Sequence, residues 1–459
     1  MKIKHERILK HPLLYILIAA FFARLCLLLN PGIVWWDSAV YIGVGKYIFS
    51  AGAVGVNEAF RPLLLPLILG LAWKLGISPY YFGMAFDLAL NLFAIFLTFI
   101  IAEKIIGRRA AVFAAIFMAI SPSLIFYSSK VLTENLTIVL MLLSVYFAIE
   151  KKYACAGLFA GISVLARYPQ GLMLPALLVF ALFIQDNRKK LADSAKLTAF
   201  FAIPLAGLAL YNLFAFGSIF YQFAEAQEVI TKVGSMISSP WTFYFGAVFI
   251  ECFLSVLFLY ALYLSWKEKN RDMWLLNIIF IFFFIYYSTV SRKEIRYLIV
   301  VLPMLYIALG HVFARIWHKR LFEKKHAVKY VTVALIILFA VSSFFNIAGE
   351  NRRFYRPADA EIMDNFYMSP LIQGKTVISS SPNVIAYSDL RVIVMEPSVY
   401  YSYLNMTADY FMIYTCDLFC QDQKCASTRS TFLSILSSTK NLAYKKEMEH
   451  CSYLLYENN

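Results

Sequence analysis

Charge is scarce in this chain. Asp, Glu, Lys and Arg make up only 15% of its 459 residues, against 61% hydrophobic and 17% aromatic, which excludes a water-soluble globule for residues 12 to 348. Phosphate-cradling loops are missing as well: there is no GxxxxGKS/T and no GxGxxG after a strand-like run, so no nucleotide-binding site is indicated. There is no internal repeat and no low-complexity tract. The first apolar stretch has no small-residue cleavage site, which reads as an uncleaved signal anchor whose basic flank (Lys2, Lys4, Arg7, Lys10) stays in the cytoplasm.

What is there is a succession of apolar runs of membrane length. A bilayer core of about 30 Å asks for roughly 20 apolar residues per helix, and such runs lie near 13–30, 80–103, 110–127, 132–149, 153–166, 169–185, 195–216, 242–264, 273–290, 298–314 and 328–348. The expectation is a polytopic α-helical membrane protein of about 11 transmembrane helices. Residues 62–76 are apolar but reach only about 22 Å at 1.5 Å per residue, and charge decides their placement. If they do not cross, the loops on the N-terminal side hold 21 Lys and Arg and the opposite loops nine, the bias that marks a cytoplasmic face; if they cross, the bias reverses. Residues 31–79 are therefore expected to form one outer loop with interfacial helices. The net charge of +14 follows from that cytoplasmic face and calls for no nucleic acid.

From Gly349 the composition turns polar, with β-like runs at 376, 391, 409, 442 and 451 and a helix-like stretch near 427–437. The domain expectation is a transmembrane catalytic part over 1–348 and a small outer α/β domain over 349–459. Cys26, Cys155 and Cys252 fall in apolar spans, where a small buried hydrophobe is expected. Cys416, Cys420, Cys425 and Cys451 fall in the outer domain; disulfides are preferred there over free thiols or a metal, since no CxxC pair is present, and three connectivities stay open. Asn135-Leu-Thr and Asn405-Met-Thr are sequons.

The candidate functional residues are the charges of the outer loops. Asp37 in WWDSAVYIG follows the first span; it suits either a general base or a helix cap on Ser38. Tyr41, four residues on, either orients that carboxylate, stacks on a substrate ring or belongs to the interfacial aromatic belt. Arg61 precedes Pro62, with Glu58 the nearest acid. Lys130 and Glu134 stand in YSSKVLTENLT, Arg167 in ARYPQG, and Arg292, Lys293 and Arg296-Tyr297 in SRKEIRYLIVVLP. Any one of these cations is explained by snorkelling; together, on one face, they suit an anionic headgroup, and arginine suits phosphate because its planar fork grips two oxygens.

In order, WWDSAVY, FRPLLLPLILGLAWKLG, ISPSLIFYSSKVLTENL, LARYPQGLMLP and EIRYLIVVLP resemble the GT-C glycosyltransferases. Within them the chain is most similar to the branch of dolichyl-phosphate-mannose protein mannosyltransferases and lipid A aminoarabinose transferases, over residues 13 to about 348. The resemblance implies transfer of a sugar from a polyprenyl-phosphate carrier to a protein, lipid or glycan acceptor on the outer side. It implies Asp37 as the acid taking the acceptor's proton, Arg61 near the carrier phosphate, Glu134 as the acid opening the fourth span, and Arg296-Tyr297 before the late Leu-Pro span. Two departures matter: Ser38 stands where many relatives carry a second acid, which leaves a divalent metal weakly supported, and Phe60 stands where an acid often precedes the basic residue. A transporter or flippase of lipid-linked saccharides, and a non-catalytic scaffold, are the competing classes; repeated halves and midplane charges would favour the former.

Overall fold

The computed structural model describes residues 11–29, 34–184, 189–236, 238–318, 325–354, 367, 369–395, 400–418, 423–447 and 451–458. The basic residues Lys2, Lys4, Arg7 and Lys10, and Cys420, lie outside them. The chain packs as two units, one of residues 1–30 and 84–353, the other of residues 31–83 and 354–459. The first loop, expected to belong with the membrane part, thus packs with the C-terminal domain.

The larger unit is helical. Among the described residues five helices are long and apolar enough to cross a membrane, 79–105, 190–216, 271–289, 295–317 and 328–352; two bent pairs, 108–129 and 243–267, bring the number to seven. The other four expected spans appear as shorter apolar helices, Pro12–Leu28, Thr133–Ile149, Tyr153–Ala166 and Tyr168–Ile184. Each expected span therefore has a helix, but among the described residues fewer than eleven are long and apolar enough to cross on their own. Breaks and shortness follow from local chemistry: Ser121-Pro122 interrupts the third run, because proline has no N–H to continue the ladder. Close helix contact is built from small residues. Gly157 and Gly161 form a GxxxG step against the backbone of Leu197 and Phe201, and a Cβ at either position would collide with a carbonyl oxygen of the helix Lys190–Phe216.

In the smaller unit, the helix Trp36–Phe49 packs on Leu64–Lys74, where Gly45 and Gly70 let the backbones meet. At 11 residues the second helix is about 16 Å long, far short of a bilayer core. The five β-like runs are five strands, β1 Thr376–Ser379, β2 Arg391–Val394, β3 Tyr410–Tyr414, β4 Asn441–Glu447 and β5 Ser452–Glu457, in the order β2-β1-β3-β5-β4. The β1 pairings are parallel and those of β5 antiparallel. Gln423–Thr439 covers the sheet with Phe432 and Leu436 in the core. The first loop joins this sheet directly. Gly55 exchanges backbone hydrogen bonds of 2.8 Å with Leu390 and Val392 beside β2, and buried Lys46 donates to the carbonyls of Ile385 and Ser388 and pairs with Asp389 at 2.8 Å. Trp73 Nε1 donates to the same Asp389. Cys416 is bonded to Cys451, and Cys425 is also disulfide-bonded. Of the three apolar-span cysteines only Cys252 is buried; Cys26 is exposed and Cys155 half-buried.

Candidate active site

In the smaller unit the cluster is built on the first turn of Trp36–Phe49. The N-cap is Trp35, not Asp37, so the cap expectation is corrected: Asp37 lies inside the first turn, where a negative charge is favourable but closes no cap. Asp37 Oδ1 accepts from Arg61 Nη1 at 2.9 Å, and Arg61 Nε donates to Glu58 Oε2 at 2.9 Å. The Arg61 guanidinium lies over the rings of Tyr41 and Phe60, 5.6 and 4.8 Å from their centroids. Tyr41 is buried, so it backs the arginine rather than standing in an aromatic belt. Burial works against the Arg61 charge, but Asp37, Glu58 and Tyr41 together more than offset it. Two carboxylates on one guanidinium leave the cluster net negative, and Asp37 stays beside a fixed cation. Such a carboxylate can accept a proton. Arg61, with both these nitrogens committed, is less suited to grip phosphate than its place before Pro62 implied.

In the larger unit Glu134, buried at 3% exposure, opens the helix Thr133–Ile149 and accepts from Arg167 Nη1 at 2.8 Å. Arg167 and Arg296 both face the Tyr297 ring, at 5.1 and 5.6 Å from its centroid. Tyr287 stacks on the other ring-to-ring contact, 5.8 Å away. Burial disfavours the Arg167 charge and Arg296 repels it, yet Tyr287, Glu134 and Tyr297 hold it firmly protonated. Glu294 pairs with Arg296 at 2.5 Å and with Arg292. Sequence reasoning missed Glu294, although an acid between two arginines in SRKEIR was the visible signal. Two guanidinium groups on one ring, each paired with a carboxylate, and Glu134 Oε2 buried without a hydrogen-bond partner, form an arginine-rich site in which every cation keeps donors beyond its acid partner.

The remaining candidates separate. Lys130 is buried over the Phe126 ring at 5.0 Å, and burial pushes its pKa down to about 8. Lys293 donates to the carbonyls of Ser239 and Val290, at 2.8 and 2.6 Å, so it ties down a loop with two of its three donors. Asn135 is buried, accepts from Asn91 and donates to the Tyr127 carbonyl, which removes it as a glycosylation acceptor; Asn405 is exposed. Among the described residues no group of three His, Cys, Asp or Glu side chains converges.

Residues 61–211 match the family model described as dolichyl-phosphate-mannose-protein mannosyltransferase. Over its whole length the structure is similar to ArnT from Cupriavidus metallidurans bound to undecaprenyl phosphate, with a TM-score of 0.69, 11% identity and 98% of each chain covered. This chain shares the fold of ArnT. It is also similar to the oligosaccharyltransferase AglB of Archaeoglobus fulgidus in complex with an inhibitory peptide and a dolichol-phosphate, with a TM-score of 0.60 and 15% identity over 88% of this chain and 70% of that one. In sequence it is 26% identical over 307 residues to an uncharacterized protein of Aquifex aeolicus and 25% identical over 196 residues to GPI mannosyltransferase 1 of Saccharomyces cerevisiae. Those matches cover 63% and 39% of this chain, and 60% and 46% of the relatives' own lengths. The resemblance to the protein mannosyltransferase and aminoarabinose transferase branch of the GT-C enzymes therefore holds in family model and in fold.

Proposed function

We propose that this GT-C-like protein transfers a sugar from a polyprenyl-phosphate-linked donor to an acceptor hydroxyl at the outer face of a cell membrane, by a single displacement that inverts the anomeric carbon. The observation that carries the reading is the convergence of Arg167 and Arg296 on Tyr297. A sugar phosphodiester already leaves as an anion, so catalysis consists chiefly of stabilising charge that grows on phosphate and removing the acceptor's proton. In this reading Arg167 and Arg296 meet the phosphate oxygens, with Lys130 adding a charge below about pH 8. The acceptor oxygen bonds to the anomeric carbon as the carbon–oxygen bond to phosphate breaks, its electron pair passing to phosphate, and Asp37 takes the hydroxyl proton. Arg61 orients Asp37 through the 2.9 Å contact.

The topology belongs to the same proposal. The eleven apolar segments cross, the N-terminus is cytoplasmic, and residues 31–79 and 350–459 are outside, as the basic bias of the alternate loops favours. The test is direct: purified protein is incubated with candidate polyprenyl-phosphate sugars and acceptors, and the freed polyprenyl phosphate is read by mass. Release that requires an acceptor supports transfer. Movement of intact donor across vesicles without release favours the flippase reading instead.

A further inference from the structure

The third apolar run is broken at Ser121-Pro122, where its two segments meet at 57°. In an unbroken helix the N–H of residue 122 would bond the Met118 carbonyl, and that of Ser123 the Ala119 carbonyl. Proline has no N–H, and Ser123 N donates elsewhere, so two acceptors and a donor are freed inside an apolar bundle, where unpaired backbone groups are costly. Each is met by a buried ionisable side chain. Arg24, fully buried on Pro12–Leu28, donates to the carbonyls of Ala119 at 3.0 Å and Met118 at 3.4 Å. Glu251, at the end of Phe243–Glu251, accepts from Ser123 N at 3.3 Å and from the Ser121 and Ser123 hydroxyls at 2.5 Å. Tyr306 OH adds a bond to Glu251 at 3.0 Å.

The joint is wired onward to the arginine-rich site. Arg24 Nε donates to Asn91 Oδ1 at 2.6 Å; Asn91 Nδ2 donates to the Leu124 carbonyl and to Asn135 Oδ1, at 3.0 and 2.9 Å; Asn135 Nδ2 donates to the Tyr127 carbonyl at 2.9 Å. Asn135 is the neighbour of Glu134. The turn between them is held as well: Val131 has φ +54°, and Leu132 N donates to Asp87 at 3.2 Å. We propose that Arg24, Asn91 and Glu251 are positioning residues, which fix the bend at Ser121-Pro122 and through it the placement of Glu134 beside Arg167. Ionisable groups in a span are costly and mark a task other than simple stability, which apolar packing serves better.

The activity arm of the test rests on the glycosyl-transfer reading; the structural arm does not. Asn91→Leu cuts the wire on both sides. Asn91→Asp keeps the acceptor for Arg24, now as an ion pair that guards against a variant that fails to fold, and turns the donation to Leu124 and Asn135 into a carboxylate against two oxygens, which breaks the onward wire. Hydrogen exchange of the backbone amides of residues 127–136 is expected to be faster in both variants, with the thermal midpoint of Asn91→Asp close to the parent. Exchange unchanged in that segment overturns the proposal, whatever the reaction. In turnover, kcat is expected to fall by up to about 100-fold, the cost of about 1 Å of misplacement. On a Glu134→Gln background the same Asn91 substitutions should add little further loss, because they act through Glu134. Fully additive losses overturn the wire. A parent that releases no polyprenyl phosphate refutes the proposed reaction and leaves the exchange measurement to decide the positioning role.

Discussion

The Glu134–Arg167 pair makes the sharpest energetic prediction. Its side chains are 3% and 12% exposed, and the contact is 2.8 Å. Arg167→Met leaves a nearly buried carboxylate whose Oε2 already lacks a hydrogen-bond partner, and removing one member of a buried pair costs about 3–5 kcal/mol. Replacing both members by apolar residues of similar volume is close to neutral or stabilising, because two desolvation penalties vanish with the attraction. The double variant Arg167→Met with Glu134→Leu should therefore be more stable than Arg167→Met alone, by most of that amount, while remaining inactive. Thermal unfolding of the purified protein in one detergent, run on parent, both single variants and the double, reads the cycle. Equal midpoints for Arg167→Met and the double variant would refute mutual dependence of the pair.

Three further outcomes follow from the geometry. Arg296→Lys should keep partial activity and Arg296→Ala much less, because Lys retains the charge but not the fork that matches phosphate; equal turnover in both and in the parent removes Arg296 from the mechanism. Lys130, with its pKa pushed down to about 8, is charged below that pH and neutral above it, so donor affinity should weaken as pH rises through about 8, and Lys130→Gln should lose that dependence; stability moves the opposite way, rising between about 8 and the unfolded value near 10.4, since the unfolded chain binds more protons there. A cysteine at Arg108 in a cysteine-free protein should stay unlabelled by an impermeant reagent added to intact cells; labelling from outside overturns the proposed sidedness.

Periodicity and length made most elements legible. Every expected span corresponds to an apolar helix, and all five strand-like runs are strands. What was not legible depends on partners far apart in sequence. Nothing in the loop 31–79 announces that Gly55 would extend a sheet beside residues 390–392 or that Lys46 would find Asp389, 343 positions later. The domain boundary therefore looked like a change of composition at 349, whereas packing groups the first loop with the C-terminal strands. Asp37, Glu58, Arg61 and Tyr41 were individually visible, and the structure brings them together. Their meaning shifted with the contact: Arg61 is claimed by two acids, and Lys293 by two carbonyls. The buried ionisable residues Arg24 and Glu251 were hidden in apolar runs, where a single such residue reads as noise until the broken helix that needs it is seen.

The central claim is that a carboxylate on the first loop removes the acceptor's proton. Asp37→Asn tests it, because the amide oxygen can still accept from Arg61 and Glu58 remains as that arginine's counterion, so the fold survives while the proton acceptor is lost. Release of polyprenyl phosphate from the donor, measured at saturating acceptor, is predicted to fall by about 10²–10⁴ at unchanged expression and thermal midpoint. An Asn variant that turns over like the parent would contradict the account.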